Sequence, residues 1–251
     1  MAETENRFST EALVIREMKI GDNDRLVTLF SREYGIIKAF ASGAQNIKSK
    51  KASATSLLTY GSFTIKRKAN SLRIYEATPI TVFFGAGSDI TVLSLSQYFC
   101  ELAYVFGAEG EPNVELLRLI LNSLHFSTKE KRYAPLIKAI TELRVATISG
   151  YAPDLVACEN CGKFEDSVMF FDVYNGLLCC KDCVNDKKLK PLDRTLLSAL
   201  RHIVYSELKS LYSFEIPENK AKELSELTGE YITVQTDHKF HTLEFYNSIK
   251  E

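Results

Sequence analysis

The chain has 251 residues, 45% hydrophobic and 25% charged, with a net charge of −1. That is an ordinary globular composition, long enough for two or three small domains with real cores. It contains no apolar run of roughly 18 residues and no leading apolar segment, so the expectation is a cytoplasmic protein with no membrane partner.

Charge is unevenly spread. Residues 1–80 carry 13 Lys/Arg against 8 Asp/Glu, while residues 81–251 carry 18 against 24. From Tyr34 to Tyr75 there is no acidic residue, yet Lys38, Lys48, Lys50, Lys51, Lys66, Arg67, Lys68 and Arg73 all fall there. Such asymmetry points to a basic N-terminal domain with an anionic partner.

Residues 1–9 read as polar and loose. Short β-like runs follow: EALVIREM, DRLVTLFS and GIIKAFASG, then SLLTYGSFTIKRK and SLRIYEATPI. Gly21-Asp22 and Ala69-Asn70-Ser71 supply turns. AQNIKSKKASAT lacks apolar periodicity and reads as a loop. Five strands in about 80 residues predict a small barrel, of the OB-fold or an SH3-like kind. Gly61, inside the fourth strand, marks a bulge or sharp bend.

After Pro79 the period lengthens. Ser88 is a candidate N-cap for a helix with the stripe Leu95, Tyr98, Phe99, Leu102 and Phe106. Val114, Leu117, Leu121 and Leu124 predict a second helix, and Leu136, Ile137, Ile140 and Leu143 a third. Asp193 caps a fourth, with a stripe from Leu196 to Leu211. Pro217 opens a last helical stretch, KAKELSELTGEYI, before a short tail. The expected division is 1–80 barrel, 81–150 first helical part, 151–190 cysteine module and 191–251 second helical part.

The cysteine module carries the sharpest chemistry. Cys158 and Cys161 form one CxxC pair, Cys180 and Cys183 another, separated by 18 residues. Two residues between cysteines let both sulfurs turn inward on one knuckle, and two facing knuckles offer the tetrahedral shell of structural Zn²⁺. Gly162 suits the positive φ that lets backbone N–H groups face sulfur. A shell of four cysteines leaves no open position, so one Zn²⁺ per chain is expected to hold structure rather than catalyse. No GxSxG, Walker A or GxGxxG motif is present, and His238 and His241 read as a solvated pair. The chain is therefore read as a non-enzyme.

A single-strand binder needs a positive groove with aromatic faces. Arg25, Lys48, Lys50, Lys51, Lys66, Arg67 and Lys68 are the candidate phosphate contacts, and Phe40, Tyr60, Phe63 and Tyr75 the candidate stacking rings.

The run EALVIREMKIGDNDRLVTLFSREYGIIKAFASGAQNIKSK resembles the N-terminal domain of the bacterial RecO family of DNA repair proteins. ELRVATISGYAPDLVACENCG followed by FFDVYNGLLCCKDC resembles that family's helix, its Gly-Tyr-x-Pro step and its two CxxC pairs. Where the family often has arginines after the glycine–alanine step, this chain has Gln45-Asn46. The resemblance implies an α+β protein with an N-terminal five-stranded OB-fold barrel, then an all-helical domain with an inserted four-Cys zinc module. It also implies a recombination mediator that binds single- and double-stranded DNA, anneals complementary strands and helps load RecA on gaps. RecR and the C-terminal tail of single-stranded-DNA-binding protein are the implied partners, with RecF a further candidate. The alternative reading is an RNA-binding OB-fold protein of translation or ribosome assembly.

Overall fold

The computed structural model describes residues 7–46, 48–68, 70–84, 89–185 and 188–249. Two compact units emerge, Met1–Glu130 with His241–Glu251, and Lys131–Phe240.

In the first unit, strands β1 (Arg7–Ile20), β2 (Asp24–Ser31), β3 (Gly35–Ala41), β4 (Thr59–Lys68) and β5 (Ser71–Val82) form a closed barrel of order β1-β2-β3-β5-β4. The five expected strands are present. β1 already begins at Arg7, so residues 7–9 belong to the sheet and not to a loose terminus. Alternate residues point inward along each strand. Ala12, Val14, Val27, Leu29, Ile37, Ala39, Phe63, Ile65 and Ile74 thereby fill the barrel. The pairing of β4 with β5 shifts register at Tyr60/Gly61, as Gly61 suggested, and again at Thr64/Ile65. A Cβ on Gly61 would stand 2.6 Å from the Thr78 carbonyl oxygen, so the close approach of the two backbones requires glycine there.

The stretch expected to be a loop contains the short helix α1 (Lys50–Ala54). Ser49 caps it by accepting the Lys51 N–H at 3.3 Å. Its inward contribution is Ala54, which joins Ala44 in the barrel core. Alanines leave no broad apolar stripe, so periodicity could not announce this helix.

Helices α2 (Ile90–Phe106) and α3 (Val114–Thr128) follow. Ser88 and Ala69 lie outside the described residues. Asp89 caps α2, its carboxylate accepting the Thr91 N–H at 2.6 Å.

In the second unit, α4 (Ala134–Ile148) is buried at every position from Pro135 to Leu143. The cysteine module is a four-stranded sheet of β6 (Asp154–Cys158), β7 (Met169–Asp172), β8 (Leu177–Cys180) and β9 (Lys190–Leu192), in the order β6-β8-β7-β9. Asp193 caps α5 (Arg194–Tyr205) as expected, accepting the Leu196 N–H at 2.9 Å. That helix ends at Tyr205, earlier than its stripe suggested. Leu211 is fully buried from an irregular segment, which mimics helical spacing in sequence. Helix α6 (Glu218–Thr236) opens after Pro217 and stops where Asp237 turns left-handed, φ 46°.

The expected short tail contains α7 (His241–Ser248), which returns to the first unit and lies on α2. Glu101 of α2 accepts the Thr242 N–H at 3.0 Å and also its hydroxyl, standing in for the missing cap. Among the described residues no helix is long and apolar enough to cross a membrane.

Candidate metal centre and nucleic-acid interface

The sulfurs of Cys158, Cys161, Cys180 and Cys183 all lie within 4.8 Å of one another. Cys161 and Cys180 approach to 3.6 Å across the two knuckles. β6 delivers Cys158 and β8 delivers Cys180, and each then turns tightly. Gly162 N–H donates to the Cys158 carbonyl at 2.9 Å, and Val184 N–H to the Cys180 carbonyl at 3.0 Å. Gly162 takes φ 72°, the positive value its place predicted.

Burial opposes charge on Cys158, yet backbone N–H groups of Cys180, Cys161 and Asn160 aimed at its sulfur pull its pKa down to about 6. Cys161 behaves oppositely. The Lys163 N–H favours its thiolate, but the sulfurs of Cys180 and Cys158 push its pKa up. Cys183 is pushed up by Cys161 and Cys180. Beside the Cys158 thiolate, Cys161 and Cys183 thus resist charge of their own until a cation shares the space, and this is the condition a divalent thiophilic ion satisfies. Cys179 lies outside the four-sulfur group. Its pKa is raised by burial first, then by the Cys158 charge. Lys163 ties the knuckles together, donating to Asp166 at 3.1 Å and to Asp182 at 2.6 Å. No spacing rule could have singled out Lys163, because its partners are set only by the fold.

The basic candidates are used in different ways. Arg25 is turned inward, its side chain 16% exposed. It donates to the Ala52 carbonyl at 2.9 Å and to Ser56 Oγ at 3.1 Å, anchoring the end of α1. Lys48 is exposed just before α1. Lys50 opens that helix, and its side chain lies outside the described residues. Lys51 reaches across to donate to the Ile74 carbonyl at 3.0 Å. Lys66 places its ammonium 4.2 Å from the Tyr75 ring centre, so Lys51 and Lys66 converge on the same stretch of β5. Arg67 and Lys68 are exposed at the end of β4. Arg67 borders a groove of about 780 Å³ that Phe8, Tyr34 and Phe40 also line.

The candidate rings separate too. Phe63 is fully buried in the core. Tyr60 donates to Glu11 at 2.7 Å, and burial chiefly raises its pKa. Phe40 is half-buried, and Tyr75 is exposed. Sequence reasoning missed Arg7, whose guanidinium lies 4.3 Å from the Tyr75 ring centre. It sits in a stretch whose polarity concealed the start of β1.

Comparison with known proteins agrees with this architecture. A family model described as Recombination protein O N terminal matches residues 3–83. A second, Recombination protein O C terminal, matches residues 87–244. A protein of Acetivibrio thermocellus named DNA repair protein RecO is 30% identical over 245 residues, covering 97% of this chain and 98% of the relative. The protein of that name from Alkaliphilus metalliredigens is 25% identical over 245 residues, covering 96% and 99%. That of Dehalococcoides mccartyi is 27% identical over 218 residues, covering 86% of each.

Proposed function

The chain belongs to the RecO family of DNA repair proteins, and with that as premise we propose that it acts as a DNA-binding recombination mediator. It holds single- and double-stranded DNA on the barrel, anneals complementary strands and, with RecR, helps load RecA on gaps coated by single-stranded-DNA-binding protein. The C-terminal tail of that protein is a further partner in this reading, with RecF a further candidate. No step calls for covalent chemistry by the protein.

The observation that carries the proposal is the match of both family models, in order, along a chain whose barrel concentrates the cations. Electrostatic contact with phosphates suits a mediator, since it positions DNA without reading sequence and leaves base edges free to pair. Lys48, Lys51, Lys66, Arg67 and Lys68 serve as phosphate contacts, with Lys50 beside them, while Arg25 supports the loop that presents them. Cys158, Cys161, Cys180 and Cys183 hold one structural Zn²⁺, which supplies folding free energy to the small sheet that carries them.

The decisive experiment is a strand-annealing assay with complementary oligonucleotides, bare and coated with single-stranded-DNA-binding protein. Faster annealing on both substrates is expected. Failure to bind or anneal either would sink the mediator reading.

A further inference from the structure

Three cations occupy one line across adjacent strands of the barrel. Arg7 of β1 stands opposite Lys66 of β4, and Lys66 stands opposite Arg73 of β5. Directly opposed residues point to the same face of a sheet. The neighbouring Ile65 and Ile74 are buried in the core, so the cationic line faces outward. Neighbouring strands are about 4.8 Å apart, so the line spans about 10 Å. Like charges directly opposite one another destabilise a sheet. Glu76 offsets part of this, 3.6 Å from Arg7, with a side chain that is 66% exposed.

The second observation is where Tyr75 sits. Thr64 pairs with Glu76 and Ile65 pairs with Ile74, so Tyr75 is the extra residue of a β-bulge. Bulges re-aim side chains. This one keeps the ring outside the core, 45% exposed, with Arg7 and Lys66 both against it. An exposed aromatic among repelling cations has the two elements that a single-strand site needs, a phosphate track and a stacking face.

We propose that Arg7, Lys66 and Arg73 with Tyr75 form a contact site for single-stranded DNA, in which a base stacks on Tyr75 and the cationic line takes successive phosphates. This rests on the DNA-binding reading above, adds Arg7 and Arg73 to it and singles out Tyr75 among the candidate rings. On binding, the base displaces one cation from the ring, and the displaced cation turns to a phosphate. The polyanion thereby relieves the repulsion within the line. A duplex, whose bases are already stacked on each other, offers this site only its phosphates.

The test compares the full-length protein with its Tyr75→Leu and Arg73→Gln variants, binding a thymidine 30-mer and a duplex of equal length at two salt concentrations. Tyr75→Leu keeps apolar cover over the bulge but cannot stack. It should weaken single-strand binding about 5- to 100-fold and leave duplex binding within about twofold. Arg73→Gln should weaken both and lower the salt slope of binding by about one. Equal losses on the two substrates for Tyr75→Leu would overturn the stacking role. Wild-type binding by both variants, alongside a Lys48→Glu variant that binds poorly, would place the DNA elsewhere on the barrel. A wild-type protein that binds neither substrate would instead reject the DNA-binding reading itself.

Discussion

Lys138 and Glu142 stand one turn apart on α4 with 2.9 Å between ammonium and carboxylate, and their side chains expose only 4% and 0%. The pair is fully engaged. Lys138 also donates to the Ser225 carbonyl at 2.7 Å, and Thr228 donates to Glu142 at 2.7 Å, both from α6. Gly229 makes room, since a Cβ there would lie 2.9 Å from the Lys138 ammonium. Removing one member of a buried pair leaves an uncompensated charge in low dielectric, which costs about 3–5 kcal/mol. Lys138→Met should therefore destabilise the protein by that order in urea denaturation. Replacing both, Lys138→Met with Glu142→Leu, should cost clearly less than the single change. Equal losses for the single and double variants would mean that the charge is not what the site must balance.

The cysteine cluster predicts a pH response in metal-free protein. The Cys158 thiol has a folded pKa near 6 against an ordinary 9.0. A depressed pKa stabilises the fold fully above the unfolded value and loses that contribution as pH falls through the folded one. Between pH 9 and pH 6, chelated protein should therefore lose stability as pH drops, and Cys158→Ser should remove that slope. Thermal melts after chelation check the sign, and a flat profile across this window would contradict it. With Zn²⁺ restored, the melting temperature should rise at neutral pH and fall again on acidification, as protons compete for the thiolates.

The barrel and the knuckles were legible because their signals are local. Alternating runs punctuated by turns specify strands, and CxxC spacing specifies a knuckle, with no knowledge of the rest of the chain. Helices α1 and α7 were not legible as such. The first buries alanine and has no stripe, and the second is capped by Glu101 from a distant helix. The basic site was only half legible. Composition located the cations, but whether an arginine faces phosphate or the carbonyl of Ala52 depends on register. Arg25 and Lys48 both read as candidate phosphate contacts in sequence, yet they have opposite surroundings in the fold. Tyr75 owes its place to a bulge, and bulges leave little trace in a run of alternating residues.

Asp193 joins two helices. It caps α5 through the Leu196 N–H and pairs at 2.6 Å with Lys220 of α6. Partial burial works against its charge, but the Lys220 ammonium and the Leu196 N–H overcome this and lower its pKa. A depressed carboxylate contributes fully above its ordinary value and loses that contribution as pH falls through the lowered one. Asp193→Ala should cost about 1 kcal/mol near neutral pH, the usual worth of a cap. The gap between variant and wild type should narrow below about pH 4. A gap unchanged between pH 7 and pH 3 would show that the charge is not involved.

Arg25 and Lys48 should separate stability from binding. Arg25→Gln deletes the anchor on Ala52 and Ser56, and a partly buried charged donor of this kind contributes about 1.5–3 kcal/mol. It should lower the melting temperature, and any drop in DNA affinity should follow from the disturbed end of α1. Lys48→Glu lies on an exposed side chain and should leave the melting temperature nearly unchanged, since surface substitutions move stability by about 0.5 kcal/mol or less. It should still weaken DNA binding and annealing together. The dependence of log affinity on log salt should become shallower by about one, because one phosphate fewer is neutralised on binding. Adding Lys51→Glu should deepen the binding defect, with some cost in stability because Lys51 also holds the Ile74 carbonyl. Binding titrations at three salt concentrations, paired with thermal melts on the same samples, decide the matter. If Lys48→Glu binds with wild-type affinity and salt slope while Arg25→Gln melts like wild type, the placement of both side chains has been misjudged.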